Sequence, residues 1–139
     1  MMFVLDTNVV SELRKVRAGK ADPKVAAWAG SVDATALYLS AVTVMELEMG
    51  VLLLERRDAG QGSVLRTWLD QHVMREFADR ILPIDAAVAR CCAMLHVPDP
   101  ASERDALIAA TGLVHGMTIV TRNVADFRRT GVAVFDPWA

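Results

Sequence analysis

Two rhythms of apolar and polar positions alternate along this chain. Short, mostly apolar runs rich in branched residues occur at FVLD, ALYLS, RILPID and MTIVT. Runs of that length, bounded by polar residues, read as strands buried on both faces. Between them lie longer stretches whose apolar residues recur at helical spacing: Val9 to Lys15, Lys24 to Gly30, Ala41 to Arg57, Val64 to Ala78, Asp85 to His96 and Glu103 to Gly116. Gly60, Gln61 and Gly62 are expected to break the third of these helices from the fourth, VPDPAS reads as a loop, NVADFRR as a short helix or turn, and VAVFDPW as a last edge strand. Strands alternating with helices predict an α/β sandwich with a central, mostly parallel sheet flanked by helices. Ligands in such sheets collect outside the carboxyl ends of the strands.

Asp6 stands at such an end, directly after the first strand and followed by Thr7 and Asn8. Turn chemistry alone explains it, because Asp, Thr and Asn all accept the unpaired amides that open a helix. Glu46 is harder to explain locally. From Ala41 to Leu54 the only charged residues are Glu46 and Glu48, and a helix apolar nearly all round is a buried one, in which an ionised carboxylate is costly. Two residues turn a helix by about 200°, so the two glutamates face opposite ways. Glu48 shares its stripe with Glu55 near the helix end, whereas Glu46 shares its face with Thr43 and Gly50. Glu46 is therefore assigned to a site, and Glu48 to an exposed or interface position.

Asp105 opens a helix whose face continues as Ile108, Ala109 and Gly112, and the strand ending at Thr121 is followed by Asn123 and Asp126. A first-turn acid is favoured by the helix dipole, but these positions together place carboxylates at one edge of the sheet. Two carboxylates about 4 Å apart repel by about 4 kcal/mol even at an effective dielectric of 20. Such a cluster calls for a counter-charge, and hard oxygen donors suit Mg²⁺ or Mn²⁺. Ions of that kind at a strand-end cleft activate water and stabilise the oxygens of a phosphoryl displacement. His72, His96 and His115 have no spacing that suggests zinc and read as surface or helix-end residues.

Composition narrows the classes. At 139 residues the chain reads as one domain with enough length for a real core, and 53% hydrophobic residues exclude a disordered protein. No apolar run approaches a membrane span, and the start carries no basic leader region or cleavage site. Cys91 and Cys92 are neighbours in one helix and cannot staple distant segments, which suits a reducing, cytoplasmic setting. A net charge of −2 argues against a protein that grips nucleic acid over its whole surface. Yet Arg14, Lys15, Arg17, Lys20 and Lys24 cluster after Asp6, and Arg122, Arg128 and Arg129 cluster near the end.

The blocks LDTNVVSE, SAVTVMELEMG, DALIAAT, TRNVADF and VFDPW, in that order over nearly the whole chain, resemble the PIN-domain family. Within it the chain is most similar to VapC-type toxins of the branch that pairs a FitB-like toxin with a FitA-like antitoxin. That resemblance implies a single PIN domain over residues 1–139, a three-layer sandwich with an acidic pocket at the strand ends, and Mg²⁺-dependent (or Mn²⁺-dependent) hydrolysis of RNA. By position it makes Asp6, Glu46 and Asp105 the catalytic, metal-binding acids. The fourth falls on Asp126 in some relatives' pattern and on the position of Asn123 in others. Asn8, Thr121 and Asn123 become supporting residues, and Arg14, Lys15, Arg17 and Arg122 candidates for holding RNA. It further implies a homodimer, a small inhibitory antitoxin, and contact with operator DNA only through the toxin–antitoxin complex. The apolar residues Val44, Met45, Met49, Val51, Leu52, Trp68 and Met74 are expected to wall a groove for such a partner between the helices around 42–54 and 64–78.

Two rival classes differ in their chemistry. An aspartyl-phosphate phosphatase would also start from a strand ending in Asp. It wants a second acid where this chain has Asn8 and a phosphate-binding lysine, and no lysine occurs after Lys24. A non-catalytic binding module of the same fold would not need Asp6, Glu46 and Asp105 together.

Overall fold

The computed structural model describes every residue from Met1 to Ala139. Five strands, β1 (Phe3–Leu5), β2 (Leu37–Ser40), β3 (Ile81–Leu82), β4 (Thr118–Val120) and β5 (Val134–Phe135), form a sheet in the order β3-β2-β1-β4-β5. Every pairing is parallel. The chain winds outward from β1 to β3 on one side, then returns to place β4 and β5 on the other. The order therefore reverses between β1 and β4, and such a switch point opens a crevice at the strands' carboxyl ends.

Seven α-helices cover the sheet: α1 (Thr7–Leu13), α2 (Pro23–Ser31), α3 (Ala41–Arg57), α4 (Ala59–Trp68), α5 (Met74–Glu76), α6 (Ala86–Leu95) and α7 (Glu103–His115). Successive strand residues go to opposite faces. Phe3, Leu5, Leu37 and Leu39 accordingly pack with Val9, Val10, Leu47, Val51 and Phe77 on one side. Val4 and Ile119 pack with Ile108, Ala109 and Phe127 on the other, and α6 closes on α7 through Val88, Cys92, Ala106 and Ala110. The result is the expected three-layer α/β sandwich. No helix is long and apolar enough to cross a membrane, and both cysteines are free.

Several boundaries differ from the sequence reading. Helix α1 begins at Thr7 rather than Val9, because Asp6 is its N-cap and accepts from the Thr7 amide at 2.8 Å. Proline 83 stops β3 after two residues, since it cannot donate to a ladder, and β5 is likewise shorter than VAVFDPW. The glycines at 60 and 62 do not break a helix. Only Asp58 separates α3 from α4, its amide donating to Leu54 O at 2.8 Å and its side chain accepting from Gln61 N at 3.1 Å. The stretch from Val64 to Ala78 is not one regular helix either, since a π-helical turn, Leu69–Val73, joins α4 to α5.

The groove expected between α3 and the 64–78 segment is absent because α3 and α4 pack directly against each other. Val51 is fully buried, and Val44, Trp68 and Met74 are partly buried against the core. Met45, Met49 and Leu52 remain exposed. A cavity of about 900 Å³ lies instead between α1 and residues 63–77, lined by Leu13, Val64, Trp68 and Phe77 with Arg14, Arg17 and Arg75.

Candidate active site

Asp6 leaves β1 with its amide still in the sheet, donating to Val120 O of β4 at 2.9 Å. Its carboxylate is thereby fixed in the crevice where the strand order reverses. Besides capping α1, it accepts from Thr121 Oγ1 at 2.8 Å and from Asn8 Nδ2 at 3.4 Å. Asn8 Nδ2 also reaches Thr121 Oγ1 at 3.3 Å, and Asn8 Oδ1 accepts the Arg122 amide at 3.2 Å. The Asn123 amide donates to Thr121 Oγ1 at 3.0 Å. The polar triplet after β1 and the one after β4 thus hold each other across the switch point, with Asn8 and Thr121 as the joints.

Glu46 comes to the same place from α3. Thr43 is fully buried and its hydroxyl lies 3.5 Å from Leu5 O at the end of β1. Glu46 Oε1 accepts from Thr7 Oγ1 at 2.8 Å, and Oε2 lies 3.6 Å from Arg104. A side chain at Gly50, on the same helix face, would meet nothing within 4 Å, so the face of Glu46 is open. Glu48 points elsewhere. It receives both guanidinium nitrogens of Arg66 at 2.8 and 2.5 Å, and Arg66 reaches Glu55 at 3.2 Å as well. The hydrogen bonds from Arg66 hold the Glu48 carboxyl below its ordinary range. The stripe shared by Glu48 and Glu55 is therefore an ion-paired seam to α4.

Asp105 sits in the first turn of α7 and Asp126 in the first turn of a 3-10 helix, Val124–Thr130. Burial pushes the Asp6 carboxyl above its usual range against the opposing hydrogen bonds from Thr121 and the Thr7 amide, and the charges of Glu46 and Asp126 add to the rise. Asp105 is raised by burial first, then by Asp126, Asp6 and Glu46, with Ser102 opposing. Asp105 thus feels all three other acids of the quartet and Asp6 feels Glu46 and Asp126, the four coming from four different elements. Asp126 supplies charge there, whereas the Asn123 side chain makes no capping bond.

No three acids close on a common point at metal-ligand distance, as carboxylates that repel one another would not. Mg²⁺ does not require a closed cage; it binds through one or two carboxylates and keeps several waters. The donors offered are all hard oxygens, Asp6 among them is 7% exposed, and its neighbours leave it short of positive charge. The residues present fit a hydrated Mg²⁺ or Mn²⁺ in kind.

The candidate RNA-binding residues divide. Arg122 lies beside the crevice, its guanidinium 5.3 Å from the Trp138 ring centre. Arg14 and Arg17 line the cavity beside α1, with Arg14 over Trp68 at 5.7 Å, and Lys15 pairs with Glu12 at 3.2 Å. Two site residues escape a reading of the sequence: Thr7, whose hydroxyl holds Glu46, and Arg104. The one sequence signal for Arg104 is a cation in a helix's first turn, where the dipole disfavours it.

The separation of the two glutamates has a measurable consequence. Glu46→Gln should weaken Mg²⁺ binding in calorimetry and leave the melting temperature nearly unchanged. Glu48→Gln should leave Mg²⁺ binding intact and cost about 1 kcal/mol of stability through its weakened Arg66 pair. Equal losses of metal affinity in the two variants would contradict the placement.

Known proteins resemble this chain over nearly its whole length. The family model described as "PIN domain" matches residues 3–133. The chain is 40% identical over 143 residues to Toxin FitB of Neisseria gonorrhoeae (strain ATCC 700825 / FA 1090), covering 99% of each. It is 36% identical to VapC ribonuclease Y4jK of Sinorhizobium fredii (strain NBRC 101917 / NGR234), covering 99% of this chain and 98% of the other. Among solved structures, FitAcB from Neisseria gonorrhoeae superposes with a TM-score of 0.88 at 38% identity, covering 99% of each chain. FitAB bound to an IR36 DNA fragment does so with a TM-score of 0.88 at 37% identity, covering 99% of this chain and 96% of that one.

Proposed function

The chain belongs to the PIN-domain family, and from that premise we propose that it is a Mg²⁺-dependent ribonuclease serving as the toxin of a toxin–antitoxin pair. The observation that supports this reading is the gathering of Asp6, Glu46, Asp105 and Asp126 within electrostatic reach of one another beside the crevice where the strand order reverses. A phosphatase is disfavoured because Asn8, in the place of its second acid, is spent on Asp6, Thr121 and the Arg122 amide. A bound divalent cation would supply activation of water and relief of the charge on the phosphodiester. Mn²⁺ would serve in the same way.

The chain's own residues do the rest. Asp6 offers a carboxylate oriented by Thr121, Asn8 and the Thr7 amide, Thr7 orients Glu46, and Asp105 and Asp126 complete the negative wall. That wall repels RNA until its charge is offset, which is why the acidic total is compatible with an RNA substrate. Arg122, beside the crevice, suits the flanking backbone; Arg14, Lys15 and Arg17 lie farther round, along α1. The relatives solved as FitAB on DNA and as FitAcB support a small antitoxin as partner, with DNA bound by the complex. The cavity between α1 and residues 63–77 suits an amphipathic partner segment, and exposed Met45, Met49 and Leu52 on α3 suit a second copy. Such a protein would work in the cytoplasm, where its RNA is.

The test is to incubate the purified chain with total RNA in Mg²⁺, in EDTA, and in EDTA with Mg²⁺ restored, and to map the new 5′ ends. Defined cuts that vanish and return with the ion support the reading. RNA bound but never cut would favour the non-catalytic module.

A further inference from the structure

Of the ion pairs in the structure, only one involves any of the four acids: Arg104 with Glu46. Arg104 reaches across from the first turn of α7 to the middle of α3. Nothing at its own position favours it, since a cation at a helix N-terminus opposes the dipole. Its contact is a single one of 3.6 Å, outside hydrogen-bond range, and 49% of its side chain is exposed. Four other arginines are committed. Arg66 holds Glu48 and Glu55, Arg80 holds Glu76 and Leu37 O, and Arg122 and Arg14 lie over tryptophan rings. Arg104 is loosely held, at the mouth of the acidic crevice, with its fork of donors almost entirely unspent.

A guanidinium fork matches a phosphate's oxygens, and its bonds to phosphate are stronger than one long contact to a carboxylate. Glu46 cannot give its charge to Arg104 and to a divalent cation in full measure at once. We propose that Arg104 is a substrate-positioning residue that rests on Glu46 and turns to an RNA phosphodiester oxygen when a divalent cation draws on Glu46. This deepens the nuclease reading and rests on it. Arg104 then offsets part of the acidic charge before the ion arrives, competes weakly with the ion, and holds the phosphate afterwards. No proton or bond changes hands at Arg104; its part is to place the phosphate.

The experiment compares wild type, Arg104→Gln and Arg104→Lys. Mn²⁺ binding is measured by electron paramagnetic resonance without RNA, and binding of a labelled random-sequence single-stranded RNA by anisotropy with Ca²⁺ as the ion. Arg104→Gln should bind Mn²⁺ about threefold more tightly, as removal of a weak exposed pair allows. It should bind RNA about tenfold more weakly, with the salt slope reduced by about 0.7, the value for one lost contact to a single strand. Arg104→Lys should recover part of the RNA affinity, because it keeps the charge and loses the fork. RNA affinity within twofold of wild type in Arg104→Gln, or Mn²⁺ affinity that is unchanged or lower, overturns the proposal. Cleavage by the wild type in Mg²⁺, run alongside, separates the two failures. A wild type that never cuts RNA loses the nuclease reading itself, whereas a cutting wild type with an indifferent Arg104 loses only this one.

Discussion

Asp6→Asn is expected to lower Mg²⁺-dependent RNA cleavage by at least about a hundredfold, since even the outer partners of a metal ligand are worth 10- to 100-fold. The same substitution should not destabilise the chain. Burial, with Glu46 and Asp126 adding, holds the Asp6 carboxyl above its ordinary range. The folded state therefore binds this proton more tightly than the unfolded one, and stability falls as pH rises from the unfolded value near 4 through the raised folded one. At neutral pH the ionised group is a cost to folding that asparagine removes. Asparagine also caps a helix about as well as aspartate, whereas alanine would lose a cap worth about 1 kcal/mol. Melting curves in EDTA should place Asp6→Asn at or above wild type at pH 7, with the gap closing as pH is lowered towards 4. Near-wild-type cleavage that still responds to EDTA would remove Asp6 from the site.

That carboxylate was legible in the sequence because an apolar run ended on it, and the stranding of Glu46 in an apolar helix was legible for the same reason. The choice of Glu46 over Glu48 followed from helical geometry alone, and the structure gives its counterpart: Arg66 takes Glu48 and Glu55 together. The bond from Thr7 to Glu46 and the approach of Arg104 to Glu46 were not legible. Both depend on how α3 lies against α1 and α7, a packing relation that no local periodicity encodes. The groove was misplaced for a related reason. Apolar residues on two consecutive helices do not say whether those helices line a groove together or close on each other, and here they close.

The feature that makes them close is Gly62, a residue whose turn-forming reputation was misleading. It lies inside α4, and a Cβ placed there would stand 2.5 Å from Glu55 Cα and 2.8 Å from the Glu55 amide nitrogen. Those are backbone atoms of α3, which cannot swing aside as the end of a side chain can. Gly62→Ala should therefore force the helices apart and cost about 3 kcal/mol, at the upper end of what overpacking exacts, or about 10 °C in melting temperature for a chain of this size. Gly60 is the internal control. It is in the same helix, two residues nearer Asp58, and the nearest atom to its added Cβ is Asp58 Oδ1 at 3.6 Å, an ordinary contact. Gly60→Ala should be neutral or stabilise by up to about 1 kcal/mol, because alanine is the better helix former and restricts the unfolded chain. The displaced α4 carries Arg66, so Gly62→Ala should also weaken the Glu48 and Glu55 pairs and make stability less sensitive to added salt than in wild type. Since α4 leads into the segment that lines the cavity beside α1, binding there should fall with the same substitution, while Mg²⁺ affinity at Asp6 and Glu46 should change little. Equal melting temperatures for Gly60→Ala and Gly62→Ala would show that α3 and α4 can part without cost, and with that the closure of the two helices would lose its cause.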